Sequence, residues 1–358
     1  MNHLYRRIAA SLSFCLCLTQ VTTTASLAAN SAGGRGFDFL LGTWTTQISY
    51  LDTPAGSKPT WIHVAGTVTN RVLWDGSGDI EEIDAGSSVQ GTTVRLYNAQ
   101  SGQWSLYWAN RADGMLEQPM VGAVSNGVGD FYDRDTIDGR SVLVHQRYLS
   151  TARDSYQFEQ SVSRDGGRTW NDNFLAKLTR KQSGSDPAAT PLPAAPASQH
   201  DFDWQFGSWK ARMSQLLHPF TASTDRRQMI GTIRVEKLWN GAGNYALVDA
   251  SGTKGAVHIL ALRLYLPHSR QWALRFSRSG LGSLSDPMFG EFSGGKGEFY
   301  GMEAVNGKTV LDRFAFYPQA ASSARDEEYI SADGGKTWQN VWLSKAERFA
   351  RGLADIGY

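Results

Sequence analysis

Phe37-Asp38-Phe39-Leu40-Leu41-Gly42-Thr43-Trp44 returns in the second half of the chain as Phe202-Asp203-Trp204-Gln205-Phe206-Gly207-Ser208-Trp209. The matched order continues: Leu73-Trp74 corresponds to Leu238-Trp239, and S-R-D-G-G-R-T-W at 163–170 corresponds to S-A-D-G-G-K-T-W at 331–338. The second copy is three residues longer between the positions of Asp84 and Arg95, as an insertion before the fourth strand would produce. A repeat of this length over 358 residues indicates two copies of one domain.

Within each copy the hydrophobic residues recur at every second position. In 103–108 the side chains of Trp104, Leu106 and Trp108 share one face, and 271–276 repeats this pattern. Clusters of Gly, Asn, Asp and Ser separate such runs, which predicts about nine or ten short strands per copy. A meander of that many strands leaves exposed edges unless the sheet closes. We therefore predict an all-β chain of two tandem antiparallel β-barrels.

The first 28 residues have the pattern of a secretory signal, with Arg6-Arg7, an apolar run over 8–18 and small residues at Ser26-Leu27-Ala28. Both cysteines, Cys15 and Cys17, lie in this segment, so the mature chain is expected to contain no disulfide and no thiolate site. We expect a periplasmic or secreted protein. Its predicted segments are a signal peptide (1–28), barrel 1 (35–182), a Pro/Ala-rich linker (183–199) and barrel 2 (200–349).

Charge and motif content exclude several classes of partner. Lys plus Arg (35) nearly balances Asp plus Glu (34) and no block of like charge occurs, so we expect no nucleic-acid partner. No later stretch reaches the roughly 20 apolar residues of a membrane span. Phosphate loops, dinucleotide fingerprints and nucleophile elbows are missing from the sequence, and no cofactor is predicted. The oligomeric state stays open.

The motifs carry a family resemblance. Gly42-x-Trp44 before Arg180 at the end of the last strand resembles the calycin superfamily of lipocalin-like barrels, and Gly207-x-Trp209 with Arg348 repeats it. The segments 37–44, 94–109, 128–132 and 163–170 are similar to a family of uncharacterised bacterial domains, mostly secreted or periplasmic. The resemblance implies two calycin-like barrels, each floored by a tryptophan beneath a basic residue. It implies no particular activity.

Aromatic residues of copy one are the candidate ligand-binding residues. They either fill a small barrel or line the pocket of a wider one, where they would hold a small hydrophobic or aromatic molecule. The first hypothesis is such a binding protein, with its ligand in barrel 1. The second, a structural or interaction module with filled barrels, stays open. The candidates are Tyr97, Trp104, Tyr107, Trp108 and Tyr132.

Polar residues present only in copy one suggest a third hypothesis, an enzyme acting on a small exported substrate. Strand alternation requires either Glu81 or Glu82 to face inward, where burial would raise the pKa of its carboxyl group and suit it to proton transfer. The catalytic candidates are Glu82, His63 and His145, the two histidines being replaced by glutamine and arginine in copy two. No metal-ligand spacing such as H-x-H accompanies them, and no metal is predicted.

Two further motifs are interpreted as turns. Asp133-x-Asp135-x-x-Asp138-Gly139 has its third carboxylate one place late for a calcium loop, which favours a hairpin. Residues 163–170 match the Asp-box of sialidase propellers, but propeller blades would repeat more often than twice. A structural hairpin, with the aspartate capping backbone N–H groups, is the better interpretation.

Overall fold

A computed structural model describes residues 33–52, 58–181 and 197–349. They form two closed antiparallel barrels of ten strands each, which confirms the predicted fold class. The predicted signal peptide and residues 183–196 of the predicted linker lie outside the described residues. None of the described helices is long and apolar enough to cross a membrane.

The strands follow one another as a meander within each barrel. Barrel 1 consists of β1 Gly42–Asp52, β2 Thr60–Leu73, β3 Gly78–Asp84, β4 Gln90–Asn98, β5 Gln103–Asn110, β6 Met120–Ser125, β7 Val128–Ile137, β8 Arg140–Ala152, β9 Ser155–Ser163 and β10 Asn171–Arg180. Barrel 2 consists of β11 Gly207–Leu216, β12 Arg226–Leu238, β13 Gly243–Gly252, β14 Gly255–Leu266, β15 Gln271–Arg278, β16 Met288–Ser293, β17 Lys296–Val305, β18 Lys308–Ala320, β19 Ser323–Ser331 and β20 Gln339–Arg348. Short 3₁₀ turns occur at Gly33–Arg35, Asp38–Leu40, Ala197–His200, Asp203–Gln205 and Trp239–Gly241.

Each barrel closes where its first strand pairs with its last. Trp44 lies opposite Arg180, and the guanidinium carbon of Arg180 lies 4.1 Å from the centroid of the Trp44 ring. Arg348 and Trp209 repeat this at 4.3 Å. A desolvated cation over an indole contributes up to about 2 kcal/mol. The predicted floor of tryptophan beneath arginine is therefore confirmed in both barrels.

The interpreted turns are also hairpins in the structure. Asp165 Oδ1 accepts the backbone N–H groups of Arg168 and Thr169 at 3.0 and 2.9 Å, so this carboxylate caps the turn between β9 and β10. Asp138-Gly139, both with positive φ, form the turn between β7 and β8. The three-residue insertion lengthens a strand: β3 has 7 residues and β13 has 10.

The two barrels pack against each other through outer faces of their sheets. One apolar cluster contains side chains of both: Leu73, Ile80, Val94, Leu96, Tyr107 and Ala109 from barrel 1, and Leu238, Trp239, Ala242, Tyr245, Leu247, Leu260, Leu262 and Leu264 from barrel 2. Polar contacts accompany it, such as Ser77 Oγ to Ser279 Oγ at 2.8 Å. The approach is close at Gly114, where a Cβ atom would lie 2.0 Å from the carbonyl oxygen of Tyr265.

Because of this interface, β4 is buried on both faces and shows no alternation of buried and exposed residues. Its residues from Gly91 to Tyr97 are all buried, because Thr93 and Arg95 face the barrel interior while Val94 and Leu96 face barrel 2. A strand covered on both faces loses the alternation of buried and exposed positions.

Candidate functional site

Three of the predicted ligand-binding aromatics lie in the interior of barrel 1. Trp104 and Tyr97 are buried with ring centroids 5.4 Å apart, and Trp108 packs against the same cluster. Phe37, from the segment before β1, meets the Trp104 ring edge-on at 5.0 Å. These rings pack closely against one another near the barrel floor.

The other two predicted aromatics require a correction, because they do not face the barrel interior. Tyr107 lies in the interface between the barrels, where its hydroxyl accepts the N–H of Leu284 at 3.2 Å. Tyr132 is 53% exposed and stacks on His145 with a centroid distance of 4.5 Å. Each follows or precedes an inward residue in its strand, so the period of two places it on the outer face.

The structure does not bring Glu82, His63 and His145 together, which corrects the expectation of a shared cavity. Glu81 is the inward member of its pair, and Glu82 therefore faces outward. Burial raises the pKa of the Glu82 carboxyl group, and this rise is partly opposed by Arg71 and by the backbone N–H of Trp239 in barrel 2. His63 is on the outer face, with its Nδ1 2.8 Å from the Ser49 hydroxyl. His145 is bonded to an outer aspartate as well. The enzyme hypothesis loses its geometric basis.

A buried ion network occupies the interior of barrel 1. The Arg95 side chain is fully buried, and its Nη1 donates to Asp79 Oδ1 at 2.6 Å and to Asn70 Oδ1 at 3.0 Å. Its Nη2 donates to Glu81. The rings of Phe37 and Tyr148 lie on either side, each 5.1 Å from the guanidinium carbon. Two carboxylates and an amide thus accept hydrogen bonds from the two Nη groups of this buried cation, which offsets part of the cost of burying it.

Burial raises the pKa of Asp79 to about 6, although Arg95 opposes the rise. This native pKa lies above the unfolded value of 3.8, so the native state binds the proton more tightly between these pH values. Asp79 therefore favours the folded state more as pH falls from about 6 to about 4. We expect Asp79→Asn to remove this gain, and the difference in unfolding free energy from wild type, measured by urea denaturation between pH 4 and 7, to change with pH. Parallel curves would contradict the assignment; Asp172→Asn, which removes an exposed carboxylate, is the control.

Barrel 2 keeps the arginine but replaces its charged partners. Arg263 lies between Phe202 and Phe316, with its guanidinium carbon 4.6 and 5.0 Å from the ring centroids. Its Nη1 donates to Gln205 Oε1 at 2.5 Å and to Asn244 Oδ1 at 3.2 Å. Within the described part of the chain Arg263 forms no ion pair, and burial lowers its pKa to about 10. Each barrel thus buries one guanidinium: the hydrogen-bond partners include carboxylates in barrel 1 and are neutral amides in barrel 2.

The substitutions that remove the ion network leave a cavity in barrel 2. Ala246 stands at the position of Glu81, and Ala261, directly opposite on β14, stands at the position of Thr93. The cavity has a volume of about 60 Å³. Its walls are mainly apolar, formed by Met213, Ile233, Ala246, Val248, Ile259, Ala261, Phe276, Phe314, Phe316 and Trp342. Apolar concave sites with few polar groups are typical of small-molecule sites.

The polar groups of the cavity carry unequal charge. Two carboxyl groups, of Asp326 and Glu328 on β19, line it together with the single guanidinium of Arg263. Burial raises the pKa of Asp326 to about 6, and the charge of Arg263 partly opposes this rise. The lining thus contains two acidic side chains and one basic side chain.

Sequence reasoning missed this site because residues private to copy two carry it. Asp326 and Glu328 stand where copy one has Phe158 and Gln160. The same comparison of copies that singled out Glu82 in copy one would have found them. Ala246, whose small side chain leaves the cavity open, could not be recognised from the sequence, because an alanine lines a cavity only if the residues around it leave the space unfilled.

No family model and no curated protein matches the chain. Solved structures with a related arrangement include a protein of unknown function of the DUF3598 family from Nostoc punctiforme, 12% identical over 88% of this chain and 99% of that one, with a TM-score of 0.27. An S-type phycobiliprotein lyase from Guillardia theta is 10% identical over 44% of this chain and 100% of its own, with a TM-score of 0.26. A transferrin binding protein B mutant from Haemophilus parasuis is 9% identical over 86% of this chain and 76% of its own, with a TM-score of 0.17.

Proposed function

We propose that this chain binds a small, ring-containing organic molecule in the cavity of barrel 2. The observation that carries the proposal is an apolar cavity opened at the position where barrel 1 places Glu81 against its buried arginine. Phe276, Phe314 and Trp342 supply aromatic walls. The sequence predicted a binding site in barrel 1, whereas the proposed site is in barrel 2.

The ligand class follows from the charge of the cavity. Asp326 accepts a hydrogen bond from a hydroxyl or amine, whereas a ligand carboxylate meets two carboxyl groups in a site of low dielectric constant. Nη1 of Arg263 already donates to Gln205 and Asn244, so one of the three guanidinium nitrogens is engaged. We therefore propose an apolar ligand that bears a donor group.

Calorimetric titration with three compounds of one aromatic body tests the proposal. We expect 2-phenylethylamine and 2-phenylethanol to bind with one site per chain, and 3-phenylpropionate to bind at least tenfold more weakly. In the Asp326→Asn variant, the binding affinities of 2-phenylethylamine and 3-phenylpropionate should differ less than in the wild type. Tighter binding of the carboxylate would show that Arg263 selects the ligand and would overturn the proposed class; no binding of any of the three would overturn the site.

We also propose that the protein acts after export, in the periplasm or outside the cell. The support is the signal-like pattern of residues 1–28. Sequencing the N-terminus of the mature protein tests it: a start near Ala29 is expected, and an intact Met1 would contradict it.

A further inference from the structure

Three carboxyl groups meet inside barrel 2 beside the cavity. Glu303 on β17, Asp312 on β18 and Glu328 on β19 are all buried, and one carboxylate oxygen from each lies within 4.8 Å of the others. Three adjacent strands place them there, since Asp312 neighbours Gly301 on one side and Ile330 on the other. Ionised carboxylates this close repel strongly when water is excluded.

The buried side chain of Asp312 has one unpartnered oxygen. Its side chain is 7% exposed, and Oδ1 has no hydrogen-bond partner among the residues that the structure describes. A buried carboxylate oxygen without a partner is costly unless a proton or a cation satisfies it. The unpartnered oxygen is an observation separate from the proximity of the three groups.

We propose that Glu303, Asp312 and Glu328 bind a divalent cation of the calcium type. All three donors are carboxylate oxygens, which hard cations prefer, whereas a zinc site would be expected to include nitrogen or sulfur ligands. Calcium lies about 2.3–2.6 Å from its oxygen ligands, so two ligands on opposite sides of the ion are separated by about 5 Å. The three oxygens lie within 4.8 Å of one another, which matches the separation of ligands around such an ion.

The site is specific to the second copy and has a route to solvent. At the corresponding positions barrel 1 has Asp135, Val144 and Gln160, which cannot supply three carboxylates. Glu328 also lines the open cavity, so an ion reaches the cluster through it. The inference goes beyond the proposed function, because the cation binds whether or not an organic ligand is present.

Calorimetric titration of the full chain with CaCl₂, after treatment with a chelator and dialysis, tests the proposal. We expect one saturable site per chain and an increase in melting temperature on calcium addition. Asp312→Asn and Glu303→Gln should each weaken binding at least tenfold. The matched control is Asp135→Asn, the barrel 1 counterpart of Glu303, which should bind calcium as wild type does.

Asp312→Asn keeps the shape of the side chain and removes a buried repulsion, and circular dichroism verifies that the variant is folded. Absence of a saturable site, or equal affinity of wild type and Asp312→Asn, would overturn the proposal and show that the cluster holds protons instead. A separate titration with 2-phenylethylamine in the presence of EDTA reports on the organic ligand alone, so failure of one proposal is distinguished from failure of the other.

Discussion

Replacing Arg95 with methionine is expected to lower the unfolding free energy of barrel 1 by about 3–5 kcal/mol, the range found when one partner of a buried ion pair is removed. The substitution leaves the carboxylates of Asp79 and Glu81 in the barrel interior without their cation. Methionine retains much of the packing between the rings of Phe37 and Tyr148, so the loss reports mainly on charge. Urea denaturation followed by tryptophan fluorescence measures it.

Arg263→Met provides the matched control. Arg263 lies between two aromatic rings in the same way, but its partners are the neutral amides of Gln205 and Asn244. Its removal leaves one buried carboxyl group, of Asp326, which Arg263 influences without forming an ion pair, whereas removal of Arg95 leaves two ion-paired carboxylates; a smaller loss is therefore expected. An equal or larger loss in Arg263→Met would contradict the account of how the two barrels hold their arginines.

Ala246→Glu is expected to weaken binding of 2-phenylethylamine at least 100-fold while barrel 2 stays folded. The new side chain reproduces Glu81 of barrel 1: it enters the cavity and places a carboxylate beside Arg263. A 100-fold loss corresponds to about 2.7 kcal/mol of binding free energy. The same calorimetric titration measures it.

The control for that loss is Ala246→Ser, which introduces a polar atom but leaves most of the cavity open. We expect Ala246→Ser to bind the amine with nearly wild-type affinity. If Ala246→Glu also bound it normally, the ligand would lie outside this cavity.

The architecture was predictable because its signals are local and repeated. Alternation in segments such as 103–108 indicates strands, and a meander of many strands closes to protect its edges. Trp44 and Arg180 stand at the two ends of barrel 1 in the sequence and meet only because the ring closes. That contact tests closure directly, and the structure confirms it.

The interface between the barrels was not predictable in the same way. Val94 and Leu96 are apolar on the outer face of β4, and nothing local in the sequence says what covers them. Tyr107 is a candidate pocket residue in the sequence as one of the aromatic residues of copy one, although alternation turns it toward barrel 2. Packing between domains depends on surfaces assembled from distant segments, which periodicity does not describe.

The sequence predicted an aromatic-lined site inside a barrel, but it predicted that site in barrel 1. An aromatic-lined barrel interior was expected around Trp104 and Trp108, yet the cavity described here lies in barrel 2, where Ala246 replaces Glu81. The carboxyl groups of Asp312 and Glu328 come from the paired strands β18 and β19. Their significance depends on burial and mutual distance, which sequence spacing alone does not give.

A crystal structure of the full chain with 2-phenylethylamine would locate the binding site. We expect the ring of the amine in barrel 2 beside Phe276 and Phe314, with its nitrogen within hydrogen-bonding distance of Asp326. Density for the compound among the aromatic residues of barrel 1, or an empty barrel 2 at saturating concentration, would contradict it.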